Sequence, residues 1–169
     1  NYKFIIYMDD LSFEEFEKGF IDCFGVRENI SDIYDKIQLP KRATVGSAGY
    51  DFFSPKSIKL MPGEAVKIPT GIRVRIDEGW VLQLYPRSGL GFKYRLQLNN
   101  TVGIIDSDYF NSDNEGHIFA KITNDTNEDK ILELNSGDAF MQGIFMEFGI
   151  VEDDTADGIR NGGFGSTGK

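Results

Sequence analysis

The chain has 169 residues, 40% of them hydrophobic, which is enough for one globular domain with a sizeable core but not for two large ones. One cysteine, Cys23, and one histidine, His117, exclude a zinc site built from three or four such ligands, so any catalysis must use carboxylates, hydroxyls, arginines, backbone amides or an added metal. A net charge of −9 without a lysine- or arginine-rich stripe argues against binding to a nucleic-acid polymer.

Residues 1–38 differ from the rest of the chain, and we predict an N-terminal strand plus a helical insertion packed on the body. Lys3 to Met8 has the apolar character of a strand. Ser12 followed by Glu15 is a capping-box pattern at the start of a helix. The phenylalanines that follow recur at helical spacing: Phe13, Phe16 and Phe20. A second short helix is predicted from Asn29 to Ile37.

A β domain is predicted from residue 39 to residue 152. Its short apolar runs, several of them alternating with polar residues, are separated by turn sequences, which is typical of an antiparallel sandwich or jelly roll. The predicted strands are Ile58–Leu60, Ala65–Ile68, Ile72–Ile76, Val81–Tyr85, Ile118–Ile122, Lys130–Leu134 and Ala139–Phe148. Residues 153–169 begin acidic and become glycine-rich, which predicts a flexible C-terminal lid.

The localisation prediction follows from two negative observations. No apolar run approaches the roughly 18 residues that cross a bilayer, so we expect no membrane contact. The first eight residues lack the basic start and cleavage site of a signal peptide, and a lone cysteine favours a reducing compartment. We therefore expect a cytoplasmic protein.

Three polar segments between strands are candidates for chemistry. Asp51 lies in strand-like sequence and is either an acceptor for turn amides or part of a metal or sugar site. Arg87, Ser88 and Gly89 offer a guanidinium, a hydroxyl and open backbone amides, the donors that a phosphate needs. Gln142 stands in a hydrophobic strand, where its amide must find a partner if buried, and it could hold a water or a phosphate.

Two further segments carry groups suited to a nucleotide. Asp106 follows an apolar run, where a partly desolvated carboxylate can serve as a general base, or it caps a hairpin. Near it, Asn100 matches the edge of a nucleobase and Tyr109 could lie against a sugar. Residues 160–168 resemble a phosphate-cradling loop but lack the lysine and spacing of a Walker A motif, and they are otherwise a disordered tail.

Taken in order, the five segments resemble the five motifs of the trimeric dUTPase family, over residues 39 to 168. The matching sequences are Ala48–Asp51, Pro86–Gly91, Asn100–Tyr109, Gly137–Gln142 and Arg160–Gly168. The resemblance implies a jelly-roll subunit in a homotrimer, with active sites at subunit interfaces. It also implies Mg²⁺-dependent hydrolysis of dUTP to dUMP and pyrophosphate, which keeps dUTP low and supplies dUMP.

The resemblance also implies a role for each matching residue. Asp106 would activate the water that attacks the α-phosphorus, and Gln142 would help to position that water. Arg87, Ser88 and Gly89 would hold the phosphates, and Tyr109 would pack under the deoxyribose. Uracil would be read by Asn100, Gly103, Ile104, Ile105 and Phe119. The lid would close through Arg160, Phe164, Gly165, Ser166 and Thr167. Mg²⁺ would be held by phosphates and water, with Asp51 at most indirect.

Two departures from the simplest family pattern leave alternatives open. They are the N-terminal insertion and a longer loop at residues 110–116, which makes the position of Phe119 uncertain. One alternative is a dCTP deaminase-like enzyme of the same fold. The other is a regulatory protein that binds a partner through residues 12–36.

Overall fold

The computed structural model describes residues 6–26, 29–165 and 167, and within these ranges the chain is built mainly from antiparallel strands. The strands are β1 (Tyr7–Asp10), β2 (Tyr50–Phe53), β3 (Ile58–Leu60), β4 (Ala65–Pro69), β5 (Ile72–Arg75), β6 (Trp80–Pro86), β7 (Leu96–Leu98), β8 (Gly103–Ile105), β9 (Phe119–Asn124), β10 (Leu132–Leu134) and β11 (Ala139–Glu147). The helices are α1 (Phe13–Phe24), α2 (Ile30–Asp35), α3 (Ser88–Tyr94) and a 3-10 helix (Ser107–Asn111).

Two principal sheets organise these strands. One has the order β2-β11-β6-β8 and the other the order β4-β9-β7, while β1-β5 and β3-β10 form two smaller pairs. Every pairing is antiparallel. Because β7 belongs to one principal sheet and β8 to the other, the short hairpin between them crosses from sheet to sheet. This crossing positions the candidate site.

The core lies between the sheets because apolar residues recur at every second position of the strands, on the inward face. In β9, for example, Ala120 and Ile122 are buried, whereas Lys121 between them is exposed. Ile68, Leu82 and Phe140 are fully inaccessible. Each such side chain stabilises the fold by roughly 1.5–3 kcal/mol relative to an exposed position.

The predicted first helix is confirmed as α1, which starts where the Ser12 side chain accepts a hydrogen bond from the Glu15 amide at 3.3 Å. It ends at Gly25, whose φ of 68° is the left-handed conformation that glycine adopts without strain. The helix packs against β4. A second, smaller core forms beneath it from Leu11, Phe16, Phe20 and Ile30.

Several predicted boundaries were wrong. The first strand, Tyr7–Asp10, extends beyond the predicted end at Met8, and residues 3–5 of the prediction lie outside the described residues. Helix α3 was missed because it buries no residue and contains two glycines, so it has no apolar period to detect. Strands β7 and β8 have three residues each, too few to show alternation.

Candidate active site

The first pocket, here called the hairpin pocket, lies where the β7–β8 hairpin passes between the sheets and has a volume of about 190 Å³. It brings together nine of the residues singled out from the sequence. They are Asn100, Gly103, Ile104, Ile105, Asp106, Tyr109, Phe119, Arg160 and Phe164. The uncertainty over Phe119 is resolved, since its ring lines this pocket beside Tyr109.

The hairpin has a tight, fixed backbone. Thr101 adopts a left-handed φ of 69°, and its amide donates to the Leu98 carbonyl at 2.8 Å. Gly103 packs so closely on β6 that a Cβ atom there would lie 2.9 Å from the Cβ atom of Leu84. A side chain at this position would push β8 away from β6, so the glycine keeps the pocket wall in place.

Tyr109 is held rigidly at one side of the pocket. Its side chain is buried, its hydroxyl donates to the His117 carbonyl oxygen, and the Asn114 amide donates to the same hydroxyl at 3.0 Å. Burial raises the pKa of the Tyr109 hydroxyl above its usual value, with opposing contributions from Asn114 and Arg160. The ring therefore stays neutral and cannot retreat without losing both hydrogen bonds.

Asp106 ends β8 at the pocket mouth, and its carboxylate is half exposed. Arg160 from the C-terminal segment reaches it through Nη2 at 2.7 Å and reaches Asp108 through Nε at 2.7 Å. Exposed ion pairs of this kind contribute of order 1 kcal/mol or less. A ligand with several negative charges can therefore draw Arg160 away from these carboxylates.

The C-terminal segment lies across the same pocket. The Asn161 carbonyl accepts a hydrogen bond from the Asp113 amide at 2.9 Å. Gly163 touches the Tyr109 ring, because a Cβ atom there would come within 2.7 Å of Cε2. The Phe164 ring meets Tyr109 and Phe119 edge-on, with centroid separations of 6.1 and 6.0 Å. Gly165 and Thr167 follow beyond these contacts, and Ser166 lies outside the described residues.

A second pocket, here called the arginine pocket, has a volume of about 250 Å³ and is lined by Asp51, Arg87, Ser88 and Gln142. Arg87 Nε lies 3.1 Å from Asp51 Oδ1, so Asp51 orients the guanidinium. The Gln142 amide donates to the Pro86 carbonyl at 3.1 Å, the partner that a glutamine in a hydrophobic strand requires. Gly89 follows Ser88 in the first turn of α3.

The two pockets lie on opposite faces of one sheet. Met141 lines the hairpin pocket, whereas the next residue of β11, Gln142, lines the arginine pocket. Successive side chains of a strand point to opposite faces, and β11 pairs with β6 in regular register at both positions. A single chain therefore does not bring Gln142 and Arg87 to a ligand beside Asp106.

His117 is buried behind the hairpin pocket, against a residue that lines it. Its ring packs against Phe119 at a centroid separation of 4.1 Å, and its Nε2 accepts a hydrogen bond from the Gly71 amide at 3.1 Å. Burial, reinforced by the positive charge of Lys67, lowers the pKa of His117 to about 3. No sequence pattern pointed to this contact, because it depends on the fold of the 110–117 loop.

The acidic side chains near the pockets are already paired with arginines. Within residues 6–26, 29–165 and 167 no cluster of three or more His, Cys, Asp or Glu side chains is arranged to hold a metal. A divalent cation here would need most of its oxygen ligands from a bound polyanion and water. In the same described ranges, no helix is long and apolar enough to cross a bilayer.

Comparisons with known proteins agree with this geometry. The family model described as dUTPase matches residues 35–168. The deoxyuridine 5'-triphosphate nucleotidohydrolase of Lactococcus lactis subsp. lactis strain IL1403 is 44% identical over 135 residues, which cover 78% of this chain and 89% of that protein.

Two solved structures are similar to this one. The dUTPase from Streptococcus mutans has a TM-score of 0.63 and 35% identity, over 86% of this chain and 98% of that chain. A mutant dUTPase from phage phi11 of S. aureus, whose structure describes a structural Mg(II) ion, has a TM-score of 0.62 and 22% identity, over 91% of this chain and 97% of that one. These likenesses confirm the predicted all-β, dUTPase-like jelly-roll class.

His117 should make the free energy of unfolding decrease as the pH is lowered from about 6.5 toward about 3. Its folded pKa of about 3 lies below the ordinary value of 6.5, so between these pH values the unfolded chain binds the extra proton. The contribution is fully present above pH 6.5 and is lost as the pH falls toward 3, with a slope of up to about 1.4 kcal/mol per pH unit. Urea unfolding of wild type and His117→Gln from pH 7 to 4.5, at one chain concentration, measures the difference. Equal slopes would contradict a buried neutral histidine.

Proposed function

Because the chain belongs to the dUTPase family, we propose that it hydrolyses dUTP to dUMP and pyrophosphate through a water that Asp106 activates for attack on the α-phosphorus. The observation that carries this proposal is the position of Asp106 at the mouth of the hairpin pocket, next to a fixed tyrosine. The water loses its proton to Asp106, its oxygen bonds to the α-phosphorus, and pyrophosphate leaves as the bond to the bridging oxygen breaks. General-base assistance of this kind contributes about 10²- to 10⁴-fold to a rate.

The uracil and the deoxyribose occupy the hairpin pocket in this proposal. Asn100 and the chain at Gly103, Ile104 and Ile105 read the edge of the base, with Phe119 beside it. Tyr109 packs under the sugar and leaves no room for a 2'-hydroxyl. The two hydrogen bonds at the Tyr109 hydroxyl support this role, because a ring that cannot move aside excludes a larger sugar.

The phosphates are held by groups of opposite charge and by free amides. Arg87, oriented by Asp51, contacts the phosphate chain together with Ser88 and Gly89, and Gln142 positions the attacking water. Arg160 leaves Asp106 when the triphosphate binds and moves onto its outer oxygens, which frees the carboxylate to act as a base. Residues 165–167 close behind it, and Phe164 covers the base.

Mg²⁺ would supply charge neutralisation and polarisation of the phosphates, held mainly by the phosphates themselves and by water. The pairing of Asp51 with Arg87 supports an indirect contribution from that carboxylate. Asp106 and Asp108 both pair with Arg160. The net charge of −9 favours a substrate that arrives as a magnesium complex.

The opposed pockets support the homotrimer with shared active sites that the family resemblance implies. A second copy must bring its arginine pocket to the hairpin pocket of the first, because one chain keeps them on opposite faces of a sheet. Apolar side chains left exposed in the described chain supply surface for such contacts. They include Val45, Phe92, Ile104, Met146, Phe148, Ile150 and Val151.

The remaining parts of the proposal concern organisation. We assign residues 1–38 to an N-terminal strand and helical insertion, 39–152 to the β domain and 153–169 to a lid. A cytoplasmic location stays a prediction. Binding of a partner protein through residues 12–36 also stays a prediction, and burial of Phe16 and Phe20 restricts any partner to the outer face of α1. A dCTP deaminase is not favoured, because the similar proteins above are named as dUTP hydrolases.

The purified protein should release pyrophosphate from dUTP with Mg²⁺, and release should fall sharply when the metal is chelated. With dCTP, dTTP and UTP as controls, we expect a preference for dUTP of at least about 100-fold over dCTP and UTP, since mismatched polar groups and an extra hydroxyl are both rejected. Pyrophosphate and ammonia release are measured in parallel. Ammonia from dCTP, or an untouched dUTP pool, would overturn the proposal.

Replacing the general base, Asp106, should lower turnover without weakening the binding of dUTP. Asp106→Asn keeps the size of the side chain but cannot take up the proton, so we expect turnover to fall about 10²- to 10⁴-fold, with little change in the dissociation constant for dUTP. Asp108→Asn is the matched control, because both changes remove one contact to Arg160 and only one removes the base. The role assigned to Asp106 fails if both variants lose turnover equally.

Shared sites predict complementation between inactive chains. Asp106→Asn and Gln142→Ala should each be nearly inactive alone, because each spoils a different part of every site. Co-expressed chains form mixed trimers in which some sites combine an intact Asp106 from one chain with an intact Gln142 from another. Turnover per chain should therefore rise on mixing, whereas two differently tagged Asp106→Asn chains should show no gain. If the mixture of Asp106→Asn and Gln142→Ala chains also shows no gain, each site lies within one chain.

A further inference from the structure

The N-terminal insertion and the long loop at 110–117, the two departures from the simplest family pattern, contact each other. The Ser12 amide and hydroxyl donate to the two carboxylate oxygens of Glu115, at 3.0 and 2.5 Å. The capping-box pattern had assigned this role to Glu15, so that assignment was wrong: the second half of the cap comes from the loop. Burial raises the pKa of Glu115, but the two hydrogen bonds from Ser12 and the charge of Arg73 outweigh it and lower the pKa overall.

A second contact between these parts reaches the hairpin pocket. Gly19 of α1 lies directly over the His117 ring, because a Cβ atom at Gly19 would come within 2.8 Å of both Cε1 and Nδ1 of His117. The same Cβ atom would come within 3.1 Å of Cζ of Phe119. The helix backbone therefore rests on the two rings, one of which lines the pocket.

His117 links helix α1 to two residues that line the pocket, Phe119 and Tyr109. Its ring packs on Phe119, and its backbone carbonyl accepts the hydrogen bond from the Tyr109 hydroxyl. The ring cannot turn freely, because Nε2 accepts from the Gly71 amide and the neutral form must then carry its proton on Nδ1. Nδ1 of His117 has no hydrogen-bond partner among the described residues. It faces α1 at Gly19, so the helix buries this atom but gives it no hydrogen bond.

We propose that Gly19 and His117 are positioning residues, through which α1 sets the places of Phe119 and Tyr109 and thereby the affinity for dUTP and its discrimination from UTP. This inference rests on the proposed function and adds a second role to the insertion, that of a support for the nucleoside pocket. Neither residue touches the substrate. Asp106 directly follows β8 and forms its ion pair with Arg160 rather than with α1, so we expect the chemical step to be spared.

The choice of glycine at position 19 supports the proposal. Glycine within a helix costs about 1 kcal/mol relative to alanine, so a central glycine needs a packing reason. Here the reason is the 2.8 Å separation, since an alanine methyl must push the His117 ring or the helix aside. Helix propensity alone predicts that alanine at position 19 stabilises the protein, whereas the clash with His117 predicts the opposite. The propensity effect and the packing effect can therefore be distinguished.

Gly19→Ala tests the inference with Lys18→Ala as the matched control on the exposed side of the same helix. A displacement of Phe119 and Tyr109 by a few tenths of an ångström to 1 Å should raise KM for dUTP about 10-fold and lower the dUTP-to-UTP preference by a similar factor. We expect kcat to stay within about 3-fold, since the base is undisturbed. Lys18→Ala should match wild type in all three quantities.

A double-mutant cycle separates positioning from general damage. In a His117→Gln background the flexible glutamine still accepts from the Gly71 amide and yields to the added methyl, so Gly19→Ala should change KM less than about 2-fold there. Unchanged KM and selectivity in Gly19→Ala would overturn the proposal. So would equal losses in KM and kcat that persist in the glutamine background.

The proposed function and this inference can fail separately. If wild type leaves dUTP intact, the proposed function fails, and the same cycle is then read from the dissociation constant of dUMP by calorimetry. If wild type hydrolyses dUTP while the cycle shows no coupling between positions 19 and 117, only the positioning role is lost.

Discussion

The alternation of side chains along β11 constrains every other feature of the site. This strand runs through the middle of the larger sheet, between β2 and β6, and its regular pairing with β6 fixes which of the residues from Met141 onward face each side. Met141 faces the core and the hairpin pocket, so Gln142 must face the other way. Because the register cannot slip by one residue without exposing the core, the placement of Met141 and Gln142 on two different faces is a property of the fold itself.

Arginine–carboxylate pairs line both pockets. Arg87 is aligned by Asp51, and Arg160 bridges Asp106 and Asp108, so each guanidinium is oriented before a ligand arrives. In a chain of net charge −9, such pairing limits the repulsion between nearby carboxylates. The pairs are partly exposed, so each contributes of order 1 kcal/mol or less to stability.

Local patterns in the sequence were sufficient for much of the fold but not for its long-range contacts. Helix α1 followed from Ser12 and the phenylalanine spacing, and most strands followed from alternation. Helix α3 and the three-residue strands β7 and β8 gave no period to detect. The grouping of Asp106 with Tyr109 followed from the family motifs, whereas His117 and Glu115 act through contacts with α1 that are remote in sequence and leave no local signature.

The cap of α1 also bears on the order in which the protein is made. Glu115 lies 103 positions after Ser12, so a chain leaving the ribosome exposes α1 long before the residue that completes its N-terminus has been added. An isolated 12-residue helix is marginal in water, and the apolar side of α1 is only partly covered, by α2, until β4 follows it. Helix α1 therefore emerges well before it becomes stable, and in that interval its exposed apolar side makes the nascent chain prone to aggregation.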